Sequence, residues 1–257
     1  MELGLSGKVA IVSGASRGIG RAIAQVLAAE GMRLVLAARS GDQLAELAGS
    51  LKVECLVQAV DLRDERTPAA VVAAALGHFG QLDLLVNNAG ATARGDFLTL
   101  SEQEWSDGFA LKFFGAVRMC RAAWPYLCAS RGSIVNIVGI GGRTGSAEFA
   151  IGGSVNAALL NLTKVLADRG VKEGVRVNAI NPGSIATERL QKRIRSFASD
   201  HKLDEASARQ EMAKSMGVAR FGEPDEIARA VAFLASPQSA YVHGAILDVD
   251  GGQTRTL

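Results

Sequence analysis

The chain has 257 residues, enough for one large α/β domain with a sizeable core, and its 48% hydrophobic and 21% charged residues are those of a folded globular protein. The formal net charge of +2 supplies no basic field of the kind that draws a protein onto nucleic acid. The N-terminus lacks a basic stretch followed by an apolar run and a small-residue cleavage site, so no signal peptide is expected. The apolar runs are strand-sized, so no membrane span is expected either.

Short β-rich apolar runs alternate with helical patterns along the chain, which is the βαβ signature. Strands are predicted at Lys8–Ser13, Arg33–Ala38, Glu54–Val60, Leu82–Asn87, Ser133–Val138, Val175–Asn181 and Ala245–Val249. Runs this apolar suit strands covered on both faces, as in a parallel sheet. The expected fold is a doubly wound α/β domain with seven parallel strands, spanning residues 1–257.

The first strand runs into Ser13-Gly14-Ala15-Ser16-Arg17-Gly18-Ile19-Gly20, and a helix follows. Glycines in this context let backbone approach a pyrophosphate, and the helix N-terminus offers free N–H groups and a positive dipole end. A dinucleotide site is expected at Gly14, Ser16, Arg17, Gly18, Ile19 and Gly20. The second strand ends at Ala38-Arg39-Ser40, without the carboxylate that usually binds both ribose hydroxyls of NAD. Arg39, with Arg17 nearby, suits a 2′-phosphate, so NADP(H) is favoured over NAD(H). A solvated loop residue is the alternative for Arg39.

Farther along, Thr67 precedes Pro68 as a candidate helix cap. Ser101 to Glu104 reads as a capping box, Pro224 opens a helix and Pro237 follows its end. Two segments stand out: the glycine cluster Gly139–Gly145 and a helical insertion at Glu188–Met216. Cys120 and Cys128 sit about 12 Å apart on one helix, too far for a disulfide. With Cys55 they fit a reducing, cytoplasmic setting. His78, His201 and His243 show no metal-ligand spacing, so no metal site is expected.

Taken together, the glycine loop, Asp61-Leu62, Asn87-Asn88-Ala89-Gly90, the run Val175–Gly183 and Asp248–Gly252 resemble the short-chain dehydrogenases/reductases, especially those similar to 3-oxoacyl-carrier-protein reductases. The resemblance covers essentially the whole chain. It implies strand order 3-2-1-4-5-6-7 and a homotetramer. It places Asp61 and Leu62 at the adenine, and Asn88, Ala89 and Gly90 along the ribose. Pro182, Gly183, Ile185 and Thr187 would hold the nicotinamide end, with the insertion as a lid over the substrate.

The family works with a Ser, a Tyr-x-x-x-Lys pair and an Asn. Counting back from Leu162–Ala167, the Lys position holds Asn156, the Tyr position Gly152 and the Ser position Gly139. The Asn position, read from Lys112-Phe113-Phe114-Gly115, holds Lys112. By this count Lys and Asn stand exchanged between positions 112 and 156, either as compensation or as coincidence. Tyr126 and Tyr241, the only tyrosines, belong away from the carboxyl edge of the sheet. Losing the phenol and the hydroxymethyl would leave a hole or an enlarged pocket. The candidate replacements for the proton donor are Lys112 with Asn156, Ser154, Glu148, Arg143 or a held water. The expected function is an NADP(H)-dependent oxidoreductase acting on a small carbonyl, enone or alcohol through a non-standard site. The alternative is a catalytically silent dinucleotide-binding sensor or assembly protein. Arg189, Lys192, Arg193, Arg195 and Lys202 make the insertion basic, which suits an anionic or acyl-thioester substrate or a plain solvated face. Phe197 and Leu203 are candidates to face the pocket.

Overall fold

The computed structural model describes residues 2–255. Seven strands form one parallel sheet: β1 (Val9–Ser13), β2 (Arg33–Ala38), β3 (Cys55–Ala59), β4 (Leu84–Asn87), β5 (Ser133–Ile137), β6 (Arg176–Pro182) and β7 (Ile246–Val249). Their order is 3-2-1-4-5-6-7, as the motifs led us to expect. The sheet is doubly wound, because the chain moves outward from β1 through β2 to β3 and then returns to place β4 on the other side of β1. That reversal opens a crevice at the carboxyl ends of β1 and β4, where folds of this kind bind ligands.

The period of two along each strand builds the two halves of the core. On β1, Ala10 and Val12 join Ile23 and Leu27 of α1 (Gly18–Ala29) and Ile227, Val231 and Leu234 of α9 (Pro224–Ala235). Val9 and Ile11 face the opposite way. They pack with Val71, Val72 and Ala75 of α3 (Thr67–Phe79) and Met119, Ala123 and Leu127 of α5 (Gly115–Ser130). Every residue of β1, β4 and β5 is buried, which accounts for their unbroken apolar runs. α2 (Gly41–Ser50) sends Leu44 and Leu47 into the first of these layers.

Several local expectations need correction. Thr67 does not cap α3: it lies inside the helix, Arg66 holds the cap position, and the Asp64 side chain accepts from the Arg66 N–H at 2.9 Å. α6 (Ala150–Glu173) belongs to a helix long and apolar enough to cross a membrane by composition alone, so the apolar runs are not all strand-sized. Its Ile151, Val155, Leu159 and Leu160 are nevertheless buried in the fold, as befits a core helix. The insertion is two helices, α7 (Glu188–His201) and α8 (Glu205–Ser215), joined by a turn at Lys202. Leu190, Ile194 and Ala198 meet Ala208, Met212 and Phe221 in a small core of their own. Phe197 packs against that core and stacks on His201, whereas Leu203 is exposed. By contrast, the capping box at α4 (Glu102–Gly108) forms as read: Ser101 Oγ accepts from the Glu104 N–H, and the Glu104 carboxylate accepts from the Ser101 N–H at 2.8 Å.

Candidate active site at the carboxyl edge of the sheet

The glycine loop is built to leave backbone donors open. Gly14 and Gly18 adopt φ of +68° and +56°, which only glycine enters without strain. α1 begins at Gly18 with no side-chain cap and no acid in its first turn, so the N–H groups and the positive end of the helix face outward uncompensated. A Cβ on Gly20 would run into the Gly14 carbonyl and the Asn88 amide, so loop and strand touch backbone to side chain here. Ser13 ties β1 to β4. Its buried hydroxyl donates to Val86 O at 3.1 Å and accepts from the Asn88 and Ala89 N–H groups at 3.0 and 3.1 Å. Asn88 Nδ2 returns a bond to Ser13 O at 3.0 Å. Ser16 is buried, Ile19 is half-buried, and Arg17 is exposed with Glu188 of α7 at 3.8 Å.

At the other end of the crevice Arg39 stands exposed just past β2, with no carboxylate in ion-pairing range among the described residues. Its charge reaches Asp61. The Asp61 carboxylate is gripped by Arg63, with Nη2 at 2.6 Å and Nε at 3.0 Å. That hydrogen bond is the main reason the Asp61 pKa lies below its ordinary value; Arg39 adds to it from farther away. Arg63 was missed by the sequence reading, although its place directly after Asp61-Leu62 was a visible signal. Leu62 is buried, with its carbonyl turned to Gly115.

Lys112 rises from a π-helical turn, Phe109–Phe114, that interrupts the long helix between α4 and α5. Such turns carry one wide backbone loop and often mark functional positions. Lys112 Nζ donates to Val138 O at 2.5 Å and to Asn156 Oδ1 at 2.6 Å. Its stem lies on Gly90, where a Cβ would stand 2.9 Å from Lys112 Cδ. Asn156, 2% exposed, donates from Nδ2 to Gly139 O at 3.4 Å. Burial, and then the Arg189 charge, push the Lys112 pKa down to about 7. The Lys112 and Asn156 side chains therefore meet as an amine held by an amide and a carbonyl, able to hold or release a proton near neutrality.

Gly152 and Gly139 have different surroundings from those the sequence suggested. The Phe149 ring lies directly over Gly152 and against Gly141, so the space is filled from within the chain and is not an enlarged pocket. Arg94 in turn places its guanidinium 4.2 Å from the Phe149 ring centre. Gly139 takes φ +124°, a conformation closed to a serine without backbone movement. Ser154 is exposed and lies about 200° around the helix from Gly152, away from the Lys112–Asn156 pair. Arg143 is tied to Asp248 at 2.8 Å, and Glu148 is exposed. Tyr126 and Tyr241 are both exposed, and Tyr126 sits in the last turns of α5, which lead into the amino end of β5.

The remaining predicted residues close the crevice from the β6 side. Pro182 is the last residue of β6 and buried. Gly183 lies so close to Asp250 that a Cβ would come within 2.8 Å of it, and its N–H donates to Val249 O at 3.1 Å. Ile185 is buried and bridged to Gly222. Thr187 brings its methyl to 3.3 Å from where a Gly18 Cβ would be, which joins this segment to the glycine loop.

A seven-stranded doubly wound sheet with an uncapped, glycine-lined helix start at its switch point defines the dinucleotide-binding class of α/β proteins. The chain belongs to the short-chain dehydrogenase/reductase family: residues 14–254 match the family model described as enoyl-(acyl carrier protein) reductase. It is 35% identical over 251 residues to the 3-oxoacyl-[acyl-carrier-protein] reductase FabG of Vibrio cholerae, covering 97% of this chain and 98% of that one. Oxidoreductase UcpA of Salmonella typhimurium is likewise 35% identical, with 97% and 95% covered. Among solved structures, the L-sorbose reductase of Gluconobacter frateurii, complexed with NADPH and L-sorbose, superposes with a TM-score of 0.95 at 35% identity over the full length of both chains.

Proposed function

We propose that this protein is an NADP(H)-dependent oxidoreductase acting on a small carbonyl, enone or alcohol substrate, with Lys112 as its proton donor and acceptor. The observation that carries the proposal is the Lys112 Nζ held 2.6 Å from Asn156 Oδ1 at the carboxyl edge of the sheet. The residues fit the coenzyme: Gly14, Ser16, Gly18, Ile19 and Gly20 would hold the pyrophosphate, and Arg39 with Arg17 the 2′-phosphate. Asp61 and Leu62 would flank the adenine, Asn88, Ala89 and Gly90 the ribose, and Pro182, Gly183, Ile185 and Thr187 the nicotinamide. The NADPH complex of the L-sorbose reductase supports this reading.

When bound, the coenzyme supplies a hydride to the carbonyl carbon. The chain supplies the proton. The Lys112 ammonium, oriented by Val138 O and Asn156 Oδ1, donates to the carbonyl oxygen and is left as an amine; in oxidation the amine takes the proton back. Gly139 and Gly152 stand where the resemblance puts the family's Ser and Tyr, so no phenol competes for this role. α7 and α8 form the lid, with Arg17–Glu188 joining its first turn to the glycine loop. That the relatives named above are a 3-oxoacyl-[acyl-carrier-protein] reductase and an L-sorbose reductase supports a carbonyl substrate. A homotetramer and a cytoplasmic setting belong to the same reading; the exposed Phe114, Tyr126, Val165 and Val171 on α5 and α6 and its neighbouring turn, and three unpaired cysteines, support them.

One feature favours the silent alternative, namely the Phe149 ring over Gly152. Two measurements separate the readings. NADPH fluorescence is expected to change on titration with the protein. NADPH oxidation over a panel of ketones, enones and quinones is then expected to exceed the enzyme-free rate. Binding without turnover on any of them would establish the silent reading.

A further inference from the structure

We infer that the rim of this site, formed by Arg94, Arg189 and Arg193 around Phe149, is a receptor for an anionic oxygen group, carboxylate or phosphate, carried by the carbonyl substrate. This names the substrate class within the reading above and rests on it. The geometry starts at Phe149, whose ring covers Gly152 and Gly141. Arg94, on the loop after β4, is stacked 4.2 Å from that ring centre, which orients the plane of its guanidinium. Arg189, in the first turn of α7, donates from Nη2 to Gly90 O at 3.2 Å, and Gly90 is the residue on which the Lys112 stem lies. Arg193 follows one helical turn later on the same face of α7 and is half-buried. Two guanidinium groups thus approach the site from different segments, Arg94 through Phe149 and Arg189 through Gly90, with Arg193 on the same face of α7 as Arg189.

The basic residues of the insertion are not one solvated stripe. Arg195 turns to Glu205 of α8, at 3.4 Å, and Lys192 and Lys202 are exposed. The charges of Arg193 and Arg189 instead act on Arg94, whose pKa is lowered first by burial, then by Arg193, and also by Arg189. Only Glu148 acts on Arg94 in the opposite sense. Glu188 is engaged with Arg17. Among the described residues no carboxylate lies in ion-pairing range of Arg94, Arg189 or Arg193. Like charges gathered without a protein counter-ion raise the energy of the folded chain, and a bound anion lowers it. A planar guanidinium fork matches the paired oxygens of a carboxylate or phosphate, and a charge-assisted bond of this kind is the strong one.

The test is calorimetry on protein loaded with NADP⁺, in which an oxo compound can bind but not be reduced. Short-chain oxo acids are compared with their methyl esters, and oxo phosphates are run as a separate arm to tell the two anions apart. We expect an acid or a phosphate to bind about tenfold to a hundredfold more tightly than its neutral partner, the ratio for one or two charge-assisted bonds. We expect Arg94→Gln and Arg193→Gln, each checked for unaltered thermal unfolding, to lower acid affinity toward that of the ester. Equal affinity for acids and esters, no heat with any anion, or undiminished acid binding in both variants would overturn the inference. Because the heat needs no turnover, acid binding by a protein that never oxidises NADPH would sink the catalytic reading and leave the receptor standing.

Discussion

Replacing Lys112 by Met puts the proposed chemistry under the most direct strain. The fall in the Lys112 pKa from 10.5 to about 7, at 1.36 kcal/mol per tenfold change, corresponds to about 5 kcal/mol by which the site disfavours the ammonium relative to water. Part of the side chain still meets solvent, so screening trims this to a few kcal/mol. Two consequences follow with definite signs. In carbonyl reduction the ammonium is the active form, so kcat/KM should fall as the pH rises through about 7. In alcohol oxidation the amine is active, and kcat/KM should rise through the same region. Lys112→Met should lower both rates by about 10²- to 10⁴-fold, the worth of a placed acid or base, and flatten the limb near neutrality. Stability behaves differently. The unfolded chain binds the Lys112 proton up to its ordinary pKa while the folded chain releases it near 7, so wild-type stability should climb with pH between about 7 and 10. The variant should lose that climb. Activity profiles across pH 5–10 (about the range in which the fold is tested) and urea midpoints at matched pH read out both effects. A limb near pH 7 that survives in Lys112→Met, or a variant as fast as the wild type, would refute the role of Lys112.

Arg39→Glu should weaken NADPH binding about tenfold to a hundredfold while sparing NADH, since it removes one charge-assisted phosphate contact; fluorescence titration with both coenzymes checks this. Gly20→Val should abolish coenzyme binding and lower the melting temperature, because even a Cβ there overlaps the Gly14 carbonyl; thermal unfolding with and without NADPH reads both. Gly152→Tyr alone should cost about 1–3 kcal/mol through overpacking against Phe149. Combined with Phe149→Ala it should recover most of that stability, which denaturant unfolding of the single and double variants measures.

The periodicity of the chain reports the elements because buried parallel strands must be apolar on both faces. β2 runs over Arg33–Ala38, as the pattern indicated, and the other strands differ by one or two residues at their ends. The glycine loop was equally legible, since the backbone approach at Gly20 and the positive φ at Gly14 and Gly18 exclude other residues. The capping at Thr67 was not legible, because the helix takes in Thr67 itself and leaves the cap position to Arg66, whose N–H donates to Asp64.

Residue identities along the chain thus determined the sheet and the nucleotide crevice, which follow from local pattern and from motifs of fixed spacing, whereas whether Lys112 meets Asn156 was left open until the fold brought them together. Only the packed structure decided what became of the space beside Gly152. Phe149, three residues away, turns its ring over the glycine, and Arg94 arrives from a loop more than fifty residues earlier to lie against that ring. The sorting of the insertion's basic residues was decided the same way: Arg195 pairs with Glu205 of its neighbour helix, while Arg189 bonds Gly90 O beside the site. Such choices depend on which surfaces meet across long sequence separations, and no residue pattern along the chain encodes that meeting by itself.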